Sequence, residues 1–159
     1  MILFEKSLII PWLRYNVAMD TFCAKKRNEQ IVSICLKHVP SILAIYLYGS
    51  TDGPFEKADS DLDIALLFPW NEDLDFEARD LLTIDLAETF SKKIDLVSLR
   101  KAGIILQKEA IMKGKRLYAN SSREADRYEV MIMKSYQILS DERKDIISEA
   151  MQSGRFYHA

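Results

Sequence analysis

The spacing of apolar residues changes several times along this chain, and each change marks an element. Between Asn28 and His38, Ile31, Ile34 and Cys35 recur at helical intervals, and Pro40 follows close behind. Ile42–Tyr48 is an apolar and aromatic run cut by Gly49, which predicts a buried strand. Thr51–Ser60 is polar, carries Gly53 and Pro54, and predicts a loop with room for a short turn of helix. Leu62–Phe68 is of strand length and apolar apart from Asp63, the pattern of a strand covered on both faces. Helical spacing returns over Asp75–Ser91, with Ala78, Leu82, Leu86 and Phe90 along one side. Ile94–Leu99 predicts a third strand, and Ala102–Lys113 a helix with Gly114 at the C-cap position. Arg116–Tyr118 suits a short edge strand.

From Arg123 to Ser153 the chain is charged, lacks proline and glycine, and reads as one long helix capped by Ser122 and Gly154. Ile132, Leu139 and Ile146 recur every seven residues, with Tyr136 and Ala150 on the same side. That stripe packs on the chain's own sheet or docks a helical partner; periodicity does not distinguish the two. No repeat, low-complexity tract or linker divides the chain, so residues 19–159 are expected to form one domain with its C-terminal helix at about 123–153. Met1–Ala18 is apolar but broken by Glu5, Lys6, Pro11 and Arg14, and fits no element of that domain. It is expected to be an N-terminal extension, or the product of a misassigned start, since Met19 would also begin the chain naturally. It shows no cleavage signal, and no stretch reaches the roughly 18 to 20 apolar residues of a membrane span.

Composition narrows the function classes. At 159 residues, with 48% hydrophobic and 29% charged residues, the chain suits one folded domain with a real core. A net charge of -2 gives no general attraction for nucleic acid, so a polyanionic ligand needs a local site. Cys23 and Cys35 lack a CxxC spacing and read as reduced thiols of a cytoplasmic protein, with Cys35 in the core. His38 and His158 are too sparse for a histidine metal site, and His38 reads as a helix-end residue.

The candidate chemistry lies in Tyr46-Leu-Tyr-Gly-Ser-Thr51 and Ser60-Asp-Leu-Asp-Ile64. A glycine after a strand lets backbone N–H groups approach a phosphate, and Ser50 adds a hydroxyl; the same pair also makes an ordinary turn. Asp61 and Asp63 are two apart, so an extended chain points both carboxylates to one face while Leu62 points into the core. Two such carboxylates repel unless a cation or proton offsets them, and oxygen ligands suit magnesium. Asp95 interrupts the apolar strand Ile94-Asp-Leu-Val97. A carboxylate there calls for a metal or for an ion pair with Lys92, Lys93 or an arginine. If its strand lies beside that of Asp63, three carboxylates meet at one sheet edge, as two-metal phosphoryl transfer requires.

Gly49-Ser50, ten residues, then Asp61-x-Asp63 resembles the Gly-Ser-x10-Asp-x-Asp signature of the DNA polymerase β-like nucleotidyltransferases. The short length and the Ser153-Gly-Arg-Phe-Tyr157 ending are similar to the minimal nucleotidyltransferases of that superfamily, over about residues 28–157. The resemblance implies an α/β (α+β) fold, a short mixed sheet flanked by helices with a long C-terminal helix. It implies that Asp61 and Asp63 bind two magnesium ions and that Asp95 completes the catalytic metal site and helps to accept the acceptor's proton. It implies further that Gly49 and Ser50 hold the β- and γ-phosphates of ATP. Members of the minimal branch are often antitoxins paired with a HEPN ribonuclease toxin, and some add AMP to a toxin tyrosine. The expectation is therefore an antitoxin-type protein adenylyltransferase in a hetero-oligomer with such a toxin. Its alternatives are an antibiotic-modifying nucleotidyltransferase and a non-catalytic antitoxin acting by occlusion.

Other residues stay open at this level. Ser60 steadies the Asp-x-Asp loop or is a surface serine. Asp52 and Asp59 read as solvated loop charges. Lys57, Arg79, Lys92, Lys93 and Arg100 each qualify as a phosphate-facing cation, and spacing selects none of them. Trp12 and Trp70 are expected to be packing residues.

Overall fold

A computed structural model describes residues 23–49 and 60–153, without the side chains of 145–147 and 149–153. The expected extension at 1–18, with Trp12, and Ser50 and the loop residues Asp52, Lys57 and Asp59 lie outside the described residues. So do Gly154 and the Arg155–Tyr157 ending.

Helix α1 covers 23–38. Strand β1 is Ala44–Tyr48, β2 Leu62–Leu67, helix α2 Phe76–Phe90 and β3 Ile94–Ser98. A 3-10 turn at Leu99–Lys101 leads to α3, Ile104–Met112, then β4, Lys115–Ala119, and α4, Ser122–Ser153. The strands form one mixed sheet in the order β3-β2-β1-β4. β1 is antiparallel to both β2 and β4, while β2 and β3 are parallel.

The alternation of side chains splits the core into two layers. Ile45 and Leu47 of β1 and Leu62, Ile64 and Leu66 of β2 face Ile31 and Cys35 of α1 and Leu82 and Leu86 of α2. Ala44 and Tyr46, with Ala65 and Leu67, face Ala110 of α3 and Ala125, Tyr128 and Ile132 of α4. β2 is therefore covered on both faces, as the apolar run Ile64–Phe68 after Asp63 implies. Cys35 is fully buried, and its thiol pKa is pushed up to about 12 by that burial; Cys23 is exposed, and both are free thiols.

α2 begins and ends where local chemistry dictates. The Asp75 carboxylate accepts from Ala78 N at 2.7 Å, and Ser91 closes the helix in the left-handed region, φ 51°. At α4 the helix starts one residue earlier than expected, and Ser121 takes the capping role expected of Ser122, accepting from Glu124 N at 3.4 Å. α3 is shorter than Ala102–Lys113, because Ala102 and Gly103 are extended. Gly114 is also no left-handed cap, since Lys113 ends α3 in a right-handed conformation. Its glycine serves close packing: a Cβ there would overlap Ala110 O and stand 2.9 Å from Leu47 O.

Trp70, expected to be a packing residue, is 76% exposed and packs against the Arg100 guanidinium, which lies 5.3 Å from its ring centroid. One expectation about exposure is corrected. β3 is an edge strand, so Asp95 is exposed where a buried position was expected. The α4 stripe divides: Ile132 packs into the chain's own core, Leu139 is half-buried, and the side chains of Ile146 and Ala150 lie outside the described residues.

Candidate active site

Three strand ends build the site. β1 delivers Tyr48 and Gly49, and β2 starts beside them. In the β1–β2 ladder Tyr48 pairs with Asp63, and in the β2–β3 ladder Asp63 pairs with Asp95. Tyr48, Asp63 and Asp95 thus form one row across three neighbouring strands. Residues in such a row point to the same face, with strands about 4.8 Å apart. Leu62, one step earlier, is 1% exposed on the other face and anchors the segment. Asp61 precedes β2 and completes the acidic group.

Gly49 has φ 80°, a region that costs an L side chain about 1 kcal/mol or more. Space excludes a side chain as well, because a Cβ there would overlap Oδ2 of Asp63. The backbone of Gly49 therefore lies directly against the central carboxylate. Ser50 lies outside the described residues, and Ser60 is half-buried and has a partner.

The electrostatics are those of crowded like charge. The pKa of Asp63 is raised, first by burial, then by Asp95 and by Asp61, with Lys93 opposing. Tyr48 is pushed up to about 12 by burial and by the charges of Asp95 and Asp63. Lys93 Nζ donates to Asp61 Oδ2 at 2.7 Å, and its own pKa is raised by Asp61 foremost. The Lys93 carbonyl accepts from Leu62 N at 2.8 Å, which pins it beside the Asp-x-Asp segment.

Among the described residues, no three acidic, histidine or cysteine side chains close on one point as a finished metal cage. The donor set nevertheless fits a hard divalent cation. Asp61, Asp63 and Asp95 offer only oxygen, and the ionised form of Asp63 is disfavoured by burial and then by the charges of Asp95 and Asp61, which a cation would offset. Two open grooves lie away from the acidic row. An open groove of about 840 Å³ separates α1 from β4, and one of about 300 Å³ lies beside Trp70, Arg100 and Tyr128.

Lys93 is the site residue that spacing did not single out. The signal was available in register: Asp61 and Lys93 are 32 apart, the same offset as Asp63 and Asp95 (95 − 63 = 32). Only the parallel pairing gives that offset meaning.

The model of the family described as "Polymerase beta, Nucleotidyltransferase" matches residues 29–123, which include every described strand and the acidic row. This chain belongs to the polymerase beta nucleotidyltransferase family. It is 32% identical over 124 residues to the protein adenylyltransferase MntA of Shewanella oneidensis, covering 78% of this chain and 87% of that one. A crystal structure of a toxin–antitoxin with AMP-PNP superposes with a TM-score of 0.66 at 32% identity, covering 78% of this chain and 98% of that one. A tri-AMPylated Shewanella oneidensis HEPN toxin in complex with its MNT antitoxin gives a TM-score of 0.63 at 30% identity, covering 79% and 96%. These relatives place this nucleotidyltransferase in the minimal branch of its family. Among the described residues, no helix is long and apolar enough to cross a membrane.

Proposed function

We propose that this chain is a magnesium-dependent protein adenylyltransferase of a toxin–antitoxin pair. It transfers AMP from ATP to a tyrosine hydroxyl of a HEPN ribonuclease partner in the cytoplasm, and so neutralises it. The observation that carries this reading is the in-register pair Asp63 and Asp95 with Asp61 two residues upstream. It stands in a chain similar to an adenylyltransferase and to antitoxins seen with AMP-PNP or with an AMPylated toxin.

In this reading Asp61 and Asp63 hold two magnesium ions and Asp95 completes the set. When bound, magnesium neutralises the triphosphate and the departing pyrophosphate. Gly49 presents backbone without a side chain, and with Ser50 holds the β- and γ-phosphates; Ser60 supports the loop that carries Asp61. The acceptor oxygen bonds to the α-phosphorus as the bridge to the β-phosphate breaks, and pyrophosphate leaves with the electron pair. Asp95, exposed on its edge strand, takes the acceptor's proton at a carboxylate oxygen.

The test is to incubate the purified chain with ATP, magnesium and a folded HEPN partner, and to weigh the partner. An increment of one or more AMP units is expected, absent with chelator and with Asp61→Asn/Asp63→Asn. A folded partner that gains no mass sinks the proposal. Occlusion through the α4 stripe is the weaker reading, because Ile132 is already spent on the chain's own core.

A further inference from the structure

Five cations were candidates for the triphosphate, and their surroundings now separate them. Arg79 donates to the Leu96 carbonyl from α2. Arg100 donates to Phe68 O at 2.7 Å and stacks between Trp70 and Tyr128, each 5.3 Å away. Phe68 follows the far end of β2, about 17 Å from Asp63 at 3.3 Å per residue. Lys57 lies outside the described residues, and Lys92 has a partner of its own. Lys93 places its ammonium directly on an acid of the site.

Its placement has two parts. The backbone is fixed by Leu62 N, the residue between the two aspartates. The side chain is 76% exposed, against 41% for Asp61, so its four-carbon stem is solvated and free to swing. At 2.7 Å the ammonium sits on Asp61 Oδ2, one of the two oxygens of a carboxylate that magnesium would bind at about 2.1 Å. The two cations compete for the charge of the same carboxylate.

We infer that Lys93 is a movable counter-ion: its ammonium neutralises Asp61 in the metal-free chain, and on arrival of the metal–nucleotide it leaves Asp61 for the triphosphate. This rests on the metal site proposed above and adds a positioning residue to it. The displaced ammonium cannot go far, because its backbone stays hydrogen-bonded to β2, and the incoming triphosphate brings the negative charge that receives it.

The experiment titrates Mn2+ into the full chain by calorimetry without nucleotide, then titrates AMP-PNP in saturating Mg2+. Lys93→Gln is expected to bind Mn2+ about three- to ten-fold tighter, since a competing charge is gone, and AMP-PNP about ten-fold more weakly. Lys93→Arg keeps the charge and should keep most of the AMP-PNP affinity. Unchanged or weaker Mn2+ binding by Lys93→Gln overturns the counter-ion, as does unchanged AMP-PNP binding. A wild-type chain whose Mn2+ binding is absent, or survives Asp61→Asn/Asp63→Asn, instead overturns the underlying metal site. A merely structural lysine would not tighten metal binding while loosening nucleotide.

Discussion

Asp63 and Asp95 are direct partners across the parallel β2–β3 ladder, so their carboxylates leave the same face of adjacent strands. The pair is unfavourable by itself, because the Asp95 charge opposes the ionisation of Asp63. Asp95→Asn should relieve that repulsion, and Asp95 is exposed, so the fold loses nothing by the change. AMP transfer should fall at least about 100-fold with the metal-free melting temperature unchanged or raised. Parallel activity and thermal-melt measurements check both; a lower melting temperature would contradict the repulsion.

The same crowding sets a pH dependence. Asp63 holds its proton above the ordinary aspartate range, so the folded chain binds that proton more tightly than the unfolded chain. Its contribution to metal-free stability is full below the unfolded pKa and is lost as pH rises through the folded one. Asp85 runs the other way: His38 and then Lys37 hold its pKa down, so its contribution is present at neutral pH and lost on acidification. Asp63→Asn should therefore remove the loss on the rising side and leave the acid loss in place, read from melting temperature against pH without metal. In the wild type, metal binding should fail on acidification at a higher pH than an ordinary aspartate would set.

Gly49→Ala tests the contact between backbone and acid. The new Cβ meets both a positive φ and Asp63 Oδ2, so the carboxylate must move. A displacement near 1 Å at a reacting group costs on the order of 100-fold in rate. AMP transfer should drop by about that factor while far-UV circular dichroism stays native. Undiminished transfer would mean that Gly49 is only a turn.

Away from the site, the Tyr46 hydroxyl donates to Glu129 at 2.9 Å, and Arg116 reaches Glu129 at 3.0 Å and Asp126 at 2.6 Å. This cluster ties β1 and β4 to α4. Tyr46→Phe keeps the buried ring and removes one hydrogen bond, so stability should fall by about 1 kcal/mol. Urea unfolding measures it; no change would mean that solvent replaces the bond at no cost.

Much of the fold is written locally. The bounds of α2 follow from Asp75 as cap and Ser91 as left-handed stop, and β2 shows its burial in the apolar run that follows Asp63. Cys35 falls in the core because helical spacing alone puts it beside Ile31. The spacing of Asp61 and Asp63, and the glycine that follows β1, are likewise sequence features. Period and spacing describe one element at a time, which is why they succeed there.

What they leave open depends on which elements meet. A short apolar run reads alike in a central strand and at an edge, so Ile94–Val97 suggested burial where the sheet order leaves Asp95 exposed. Gly114 matched a helix cap by position, yet its reason is the approach of Ala110 O and Leu47 O. The α4 stripe has a period, and only the sheet beneath shows that Ile132 is taken. So it is with the three carboxylates. Spacing along the chain already places two acids on one face, a glycine able to come close, and a third acid on a later strand. The parallel register alone put Asp95 beside Asp63 and Lys93 beside Asp61, because charges 32 residues apart interact only when pairing removes that distance.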